Sequence, residues 1–418
     1  MLYERWRLTA RERSAEIALS EFPSGRQWTF AGLAEAAEKL PAARVPLAFA
    51  QGHSAEFIFE VLRAWRDHAI LCPLEIGQPQ PTLPAPPKPA CHLKLTSATT
   101  GPARAVVFTA EQLAADAGNI VATMGLRTEW PNLGVISLAH SYGYSNLVLP
   151  LLLHGIPLVI VASPLPEIVR RAAEKFSNLT LAAVPALWRT WQETNAIPPQ
   201  TRRAISAGAP LPASLEREVF QTRELKIHNF YGSTECGGIA YDDTEAPRDD
   251  DACIGSPMGN VKLNVDDSGC LRVTSHAVGS SYWPESDATL GSGIFSTSDL
   301  GELRDGLVFL RGRLSDQINI AGRKILPVTI EQVLAAHPAV GECVVFGVAG
   351  GGSDRNETIA ACVVARENIS AAELKQFLLA RLPAWQVPRE WRFVSSLAAN
   401  GRGKISRAAW REKFLAAE

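Results

Sequence analysis

The sequence predicts an α/β fold in two parts: a large N-terminal domain with mostly parallel sheets plus a β appendage, and a small α+β C-terminal domain. Three observations carry this. At 418 residues the chain exceeds what one hydrophobic core usually supports. Up to about residue 184, short apolar runs rich in β-branched residues alternate with segments of helical spacing, the pattern of a parallel sheet covered on both faces. The pattern then changes twice, to short alternating segments between Gly255 and Phe309 and to a compact mixture of helix and strand after Arg313.

In chain order, Trp28–Leu40 has helical spacing and Val45–Ala50 reads as a buried strand; Ala55–Trp65, with Phe57, Ile58, Val61, Leu62 and Trp65 on one face, is again helical and leads into the strand Ala69–Leu74. A proline-rich linker, Gln78–Pro89, follows; its prolines hold the backbone extended and remove donors, which suits a surface connection. Val106–Phe108, Val135–Leu138, Leu158–Val161 and Leu179–Val184 are further strand candidates. Gly259–Val265 and Leu271–Val273 belong to the antiparallel appendage. Beyond it, Pro327–Ala336 is a helix facing inward through Ile330, Val333 and Leu334, Cys343–Val348 and Ile359–Ala365 are strands, and Ser370 with Glu373 forms a capping box opening a helix that turns Leu374, Phe377, Leu378 and Leu382 inward. The boundary predicted from this pass separates a large domain, 1–314, from a small one, 315–418.

An apolar fraction of 46% and a charged fraction of 20% are ordinary for a globular protein and exclude a disordered or fibrous chain. A net charge of −2 gives no electrostatic reason to expect nucleic acid or an anionic membrane as partner. The start alternates charged and aromatic residues without an apolar signal core, and no apolar run approaches the about 20 residues of a membrane span, so a cytoplasmic protein is expected. Seven cysteines without a Cys-x-x-Cys pair argue against a disulfide framework and a structural zinc site.

Chemistry is concentrated in a few stretches. Asn229-Phe230-Tyr231-Gly232-Ser233-Thr234-Glu235 packs a ring, hydroxyls and a carboxylate into a short turn that could stack a purine, touch a phosphate oxygen and hold a hard cation. Thr96-Ser97-Ala98-Thr99-Thr100-Gly101, followed by Arg104, has the small hydroxyl residues, glycine and fixed positive charge that can surround an anion, although on its own it reads first as a plain Ser/Thr-rich turn. The Gly-x-x-x-x-Gly-Lys spacing of a P-loop is absent. Asp242-Asp243 and Asp249-Asp250-Asp251 read as a solvated loop, because no glycine-punctuated calcium-loop spacing accompanies them.

Taken together, these stretches resemble the adenylate-forming superfamily of acyl-CoA synthetases and adenylation domains. TSATTG-x-x-R is similar to its TSGTTG-x-P-K phosphate loop, Ser206–Leu211 to its SGGAPL turn, NFYGSTE to its N-x-YG-x-TE signature and Phe295–Leu300 to F-x-TGDL. Gly312-Arg313 with Asp316, Ile318 and Gly322 is similar to GR-x-x-D-x-I-x-x-x-G, and Gly403-Lys404-Ile405-Ser406-Arg407 to the terminal GK-I-x-R. Six motifs in the family's order cover roughly Trp28 to Arg407, with only about ninety residues before the phosphate loop, so a compact member is expected.

The resemblance implies a nucleotide site built from Thr96, Ser97, Thr99, Thr100, Gly101 and Arg104 around phosphate; Gly208, Ala209, Pro210, Asn229, Phe230, Tyr231 and Gly232 around adenine; and Asp299 with Arg313 at the ribose. It places Thr234 on the α-phosphate, Glu235 on magnesium and Lys404 as the mobile catalytic lysine, with the small domain hinged near Ser315. The stretch Leu138–Tyr144 is similar to the family's PLFH-x-x-G acyl-site segment, which makes His140 and Tyr144 implied substrate-binding residues, with Gly238, after the NFYGSTE signature, as a third. Relatives that adenylate α-amino acids carry an aspartate at the start of this segment; none stands here, and a buried ammonium without a counter-charge is costly, so an aryl or fatty acid is expected. Ala98, Arg104, Ser298, Ser315 and Asn319 depart from the family's usual residues.

The implied reaction consumes ATP with Mg²⁺ and a small-molecule carboxylic acid, giving acyl-AMP and pyrophosphate, and then a thioester with coenzyme A. The alternative thiol is the phosphopantetheine of an acyl carrier protein, and a reading of another class is a non-catalytic AMP-binding protein.

Overall fold

The computed structural model describes residues 1–96, 104–349, 357–397 and 406–416. The chain divides into two compact units: Met1–Asn264, Arg272–Thr297 and Leu303–Phe309 form the first, Val265–Leu271, Ser298–Glu302 and Leu310–Glu418 the second.

The first unit contains a run of six parallel strands in the spatial order Ile17–Phe22, Leu158–Val161, Asn132–Gly134, Leu179–Ala183, Thr201–Ser206 and Ile227–Ser233. Leu158–Val161 and Leu179–Ala183 are buried at every position, which is why they read as continuous apolar runs rather than alternating ones. The connecting helices Ala110–Met124, Pro166–Ala173, Pro185–Glu193 and Ala213–Arg223 each bury one face. From Asn132–Gly134 the chain moves to one side for Leu158–Val161 and returns to the other for Leu179–Ala183. That reversal opens a crevice at the carboxyl ends of the strands, the place where open α/β sheets bind ligands. Beyond Ile227–Ser233 the sheet continues antiparallel through Gly237–Tyr241 and Cys253–Pro257.

A second sheet orders its strands Leu47–Gln51, Ile70–Leu74, His92–Leu95, Ala105–Phe108 and Ser281–Trp283, the first three parallel and the last two antiparallel additions. The proline-rich segment runs largely exposed, and the indole of Trp283 donates to the carbonyl of Pro84 at 2.7 Å.

In the second unit, Val340–Ala349, Glu357–Ala365 and Glu390–Phe393 form a three-stranded sheet. Strand alternation splits its core in two. Val345, Ile359, Ala361 and Val363 meet Ile330, Leu334, Leu374 and Leu378, whereas Val344, Phe346, Val348, Ala360 and Cys362 meet Trp410 and Phe414. The capping box at Ser370 forms as expected.

Two readings need correction. Val135–Leu138 is not a strand: the strand is Asn132–Gly134, and the apolar run lies in the irregular segment after it. That segment is apolar because it is covered; a Cβ on Gly143 would sit 1.9 Å from the Ser137 carbonyl oxygen, so glycine lets the next helical turn press down on it. The first residues, to which the sequence pass assigned no element, are the second. They form the helix Leu2–Glu12, which buries Tyr3, Trp6 and Ala10, with the Trp6 ring 6.1 Å from Phe30. Among the described residues no helix is long and apolar enough to cross a membrane.

Two buried histidines make the fold acid-sensitive. His92 is fully buried, with ring contacts to Tyr144 at 4.5 Å and Phe108 at 6.4 Å, and desolvation, helped by neighbouring Lys94, keeps it neutral well below its ordinary range. His228 donates from Nδ1 to the Asp242 carbonyl at 2.9 Å and meets Arg203 through Nε2 at 3.0 Å; burial first, then Arg203, lowers its pKa to about 4. Between pH 6.5 and 4 the unfolded chain binds protons that the folded His228 refuses, so stability is full above 6.5 and falls as pH drops, by about 3 kcal/mol from this residue. Urea denaturation at stepped pH should show that slope, and His228→Gln should flatten it; an unchanged slope in the variant contradicts the assignment.

Candidate functional site

Two of the implied nucleotide turns lie side by side because the strands that carry them do. Ser206, last residue of Thr201–Ser206, pairs in register with Asn229 on Ile227–Ser233, so the Ser206–Leu211 turn and the Tyr231–Glu235 stretch, which ends that neighbouring strand and enters its hairpin, follow adjacent paired residues. Gly208 adopts φ +88°, a conformation that side chains rarely take, and the Ala207 amide donates to the Ala183 carbonyl at 3.2 Å. Gly208 and Ala209 are half-buried and Pro210 exposed. Asn229 and Phe230 are buried, Tyr231 half-buried and Gly232 exposed. At Gly232 a Cβ would lie 2.6 Å from the Gly237 carbonyl oxygen, which explains the glycine at this hairpin. The half-buried Thr234 and Glu235 begin the turn that leads back through Cys236 to Gly237, and the Glu235 amide donates to Ser233 Oγ at 3.2 Å.

Both ends of the phosphate-loop stretch are defined. Thr96 donates from its amide (2.9 Å) and its hydroxyl (3.1 Å) to the Arg104 carbonyl, closing the base of the segment. Ser97, Thr99, Thr100, Gly101 and Lys404 lie outside the described residues. The Arg104 guanidinium stands 3.5 Å over the Tyr282 ring and pairs with Asp287 at 3.1 Å, and the Tyr282 hydroxyl donates to Glu235 Oε1 at 3.1 Å. Tyr282 thus joins the phosphate-loop end to the Glu235 carboxylate. Sequence reasoning missed Tyr282 and Asp287, since both fall in an appendage whose alternating pattern reports strands and not contacts.

Glu235 fits the implied metal. Among the described residues no group of three or more His, Cys, Asp or Glu could hold an ion. A single carboxylate beside a segment that the resemblance assigns to phosphate would suit Mg²⁺, which keeps several waters and takes its remaining ligands from phosphate oxygens.

His140 lies beyond the end of Asn132–Gly134, where the strand order reverses. It caps the short helix Ser141–Gly143, its Nδ1 accepting from the Tyr142 amide at 3.3 Å. Tyr142, half-buried, directs its hydroxyl to the carbonyls of Ala183 (3.5 Å) and Ile205 (3.4 Å) and sets its ring 5.8 Å from Phe230, so it stands at the carboxyl ends of Leu179–Ala183 and Thr201–Ser206, between the two residues the resemblance assigned to the substrate. Tyr144 is fully buried against His92. Gly238 is buried too, and a Cβ there would meet Met258 Sδ at 2.4 Å. Glu75 reaches this region from outside it, accepting from the Ser137 hydroxyl at 2.6 Å.

Support beneath these turns is ionic. Lys94, almost wholly buried, donates to Ser145 at 3.0 Å and lies 3.6 Å from Asp116; Asp116 accepts from Ser145 at 2.6 Å and from the Gly238 amide at 3.1 Å. A second network joins Glu216, Lys226, Asp242 and Arg248, and Arg248 donates to the carbonyl of Leu211 at 2.8 Å, fixing the end of the Ser206–Leu211 turn. The reading of Asp242 as solvated is therefore corrected: it is buried and accepts from Lys226 at 2.6 Å, its charge compensated by residues distant in sequence.

In the second unit, Arg313 donates through Nε to Asp299 at 2.9 Å. Ser315 is exposed in the turn Leu314–Asp316. Arg407, a described residue of the terminal motif, donates to Asp316 at 2.7 Å and to Glu331 at 3.2 Å, which ties it to the Gly312–Asp316 stretch.

The family described as AMP-binding enzyme matches residues 10–283, and the family described as AMP-binding enzyme C-terminal domain matches residues 329–404. A fatty acid–[acyl-carrier-protein] ligase of Streptomyces coeruleorubidus is 31% identical over 51% of this chain, which spans 44% of that protein's length. A long-chain-fatty-acid–CoA ligase of Mycobacterium tuberculosis is 26% identical over 77% of this chain and 67% of its own. The o-succinylbenzoate CoA synthetase of Bacillus subtilis, solved with its acyl-adenylate intermediate, shares the fold with a TM-score of 0.83 at 21% identity over 97% of each chain. With a family match over most of the large unit and its companion match on the small one, the chain belongs to the AMP-binding enzyme family.

Proposed function

We propose that the protein activates a carboxylic acid with ATP to an acyl-adenylate and pyrophosphate, then passes the acyl group to the thiol of coenzyme A. The observation that carries this reading is the convergence of Arg104 and Glu235 on Tyr282, beside two turns that leave adjacent parallel strands. In the first step a carboxylate oxygen bonds to the α-phosphorus as the bond to the β-phosphate oxygen breaks. Both reactants are anionic, so the residues must supply positive charge where more negative charge develops. Arg104 contributes a fixed guanidinium and Lys404 a second cation. Tyr231 stacks on adenine, Asn229 with the Gly208–Ala209 backbone borders its edge, Thr234 contacts the α-phosphate, and Asp299 with Arg313 holds the ribose. Glu235 would hold Mg²⁺, which when bound supplies neutralisation of phosphate charge.

In the second step the thiol gives up its proton to solvent, its sulfur bonds to the acyl carbon, and the bond from that carbon to the phosphate oxygen breaks to release AMP. Residues 1–314 carry the nucleotide and acid sites, and residues 315–418 carry Lys404 and turn about Ser315 between the steps. His140 and Gly238 border the acid, with Tyr142 beside them, and Tyr144 supports that wall from the core. The acid is aryl or fatty, because Leu138–Tyr144 holds no carboxylate to pair an ammonium.

A carrier-protein phosphopantetheine is the second reading, favoured by the Streptomyces relative. Pyrophosphate exchange across a panel of aryl, fatty and α-amino acids tests the first step, and thioester formation with coenzyme A against a loaded carrier protein tests the second. Exchange with an aryl or fatty acid and product with free coenzyme A are expected. Exchange with no acid would favour a non-catalytic AMP-binding protein, product with the carrier alone would establish the second reading, and activity confined to α-amino acids would point to Glu75 as an ammonium partner.

A further inference from the structure

We propose that Tyr282 is a positioning residue that fixes the direction of the Glu235 carboxylate for the metal accompanying ATP; this rests on the adenylation reading above. A carboxylate on a turn can rotate, and each orientation offers a different oxygen to an incoming cation. Here Oε1 accepts the Tyr282 hydroxyl at 3.1 Å, which sets the plane of the group and the direction of its second oxygen. The donor is itself held on every side. Tyr282 pairs with Val106 in the antiparallel strand, is 7% exposed, and carries the Arg104 guanidinium 3.5 Å over its ring. Asp287 completes the arrangement by pairing with Arg104 at 3.1 Å.

The backbone repeats the link. The Gly279 amide donates to the Glu235 carbonyl and the Ser280 amide to the Val107 carbonyl, both at 2.8 Å, so the segment before Tyr282 is stitched to the turn on one side and to the phosphate-loop strand on the other. Gly279 is required for that fit, since a Cβ would lie 2.4 Å from Val106 Cγ1. A tyrosine needed only for packing could be phenylalanine; the hydroxyl's partner is a carboxylate of the site, and that specific bond is what the hypothesis makes functional.

The test is Mn²⁺ titration by calorimetry in the presence of α,β-methylene ATP, on the full chain. Tyr282→Phe should bind Mn²⁺ about tenfold more weakly, the range for losing a hydrogen bond to a charged group. Its metal-free affinity for the analogue and its thermal midpoint should stay close to wild type, because the ring and its packing are retained. In a Glu235→Gln background the same substitution should have no further effect on Mn²⁺ affinity. Wild-type Mn²⁺ affinity in Tyr282→Phe, or an equal loss in both backgrounds, overturns the inference while leaving the adenylation reading standing. A wild-type protein that binds neither analogue nor metal overturns that reading, and this one with it.

Discussion

Carboxylate-dependent exchange of pyrophosphate into ATP should fall by about three orders of magnitude in Lys404→Ala, with ATP affinity changed only a few-fold. The reasoning is electrostatic. Attack of a carboxylate on the α-phosphorus adds negative charge to an already anionic centre, and losing one preorganised donor at such a point costs about 10²–10³ in rate. Arg104 is a weak substitute, since its guanidinium is already shared between Asp287 and the Tyr282 ring. The motif's anchor lies three residues on, where Arg407 is tied to Asp316 and Glu331 within the second unit, so removing Lys404 leaves that anchoring intact. Thioester formation from synthetic acyl-adenylate should then keep most of its rate, because that step attacks a carbonyl and expels AMP without building charge on an attacked phosphorus. Equal loss of both half-reactions would show that Lys404 acts structurally.

The strand rhythm of the first unit was legible because strands covered on both faces must be apolar at every position, as Leu158–Val161 and Leu179–Ala183 are. The same rule misplaced Val135–Leu138, since burial makes a covered loop as apolar as a strand and periodicity cannot separate the two. In the candidate site, the Asn229–Glu235 stretch stood out by its residue types and Gly208 only through the family resemblance; the strands that carry them are neighbours, with Ser206 opposite Asn229. Residues that act from a distance did not stand out. Tyr282 is 47 positions from Glu235 and Asp287 is 183 from Arg104, and neither belongs to a recognisable stretch. Asp242 failed for a related reason: an Asp-Asp pair looks solvated until Lys226 and Arg248 are folded against it. Tyr142 and Tyr144 show the limit of spacing at close range, because the turn between them decides which ring stands at the strand ends and which enters the core.

Asp116→Ala should lower stability by about 3–5 kcal/mol and remove most activity, and the two losses have separate causes. Asp116 faces three partners, the Lys94 ammonium, the Ser145 hydroxyl and the Gly238 amide, and the first and last carry the two effects. Its charge compensates Lys94, whose ammonium is almost wholly excluded from water and whose pKa is lowered by desolvation against the pull of Asp116. Its Oδ1 also accepts the Gly238 amide, tying down the hairpin that carries Thr234 and Glu235. Removing the carboxylate leaves a buried cation unpaired and a buried amide without its acceptor. The stability deficit should shrink as pH rises from 7 toward 10.5, because the unfolded chain holds the lysine proton that the folded variant sheds. Lys94→Met combined with Asp116→Ala removes the charge but not the orphaned amide, so urea denaturation should recover most of the stability while exchange activity stays low. Lys94→Met with Asp116→Asn restores an amide acceptor without a charge and should recover both. If the Ala and Asn doubles are equally active, Asp116 does not hold the Glu235 hairpin, and its role ends with balancing Lys94.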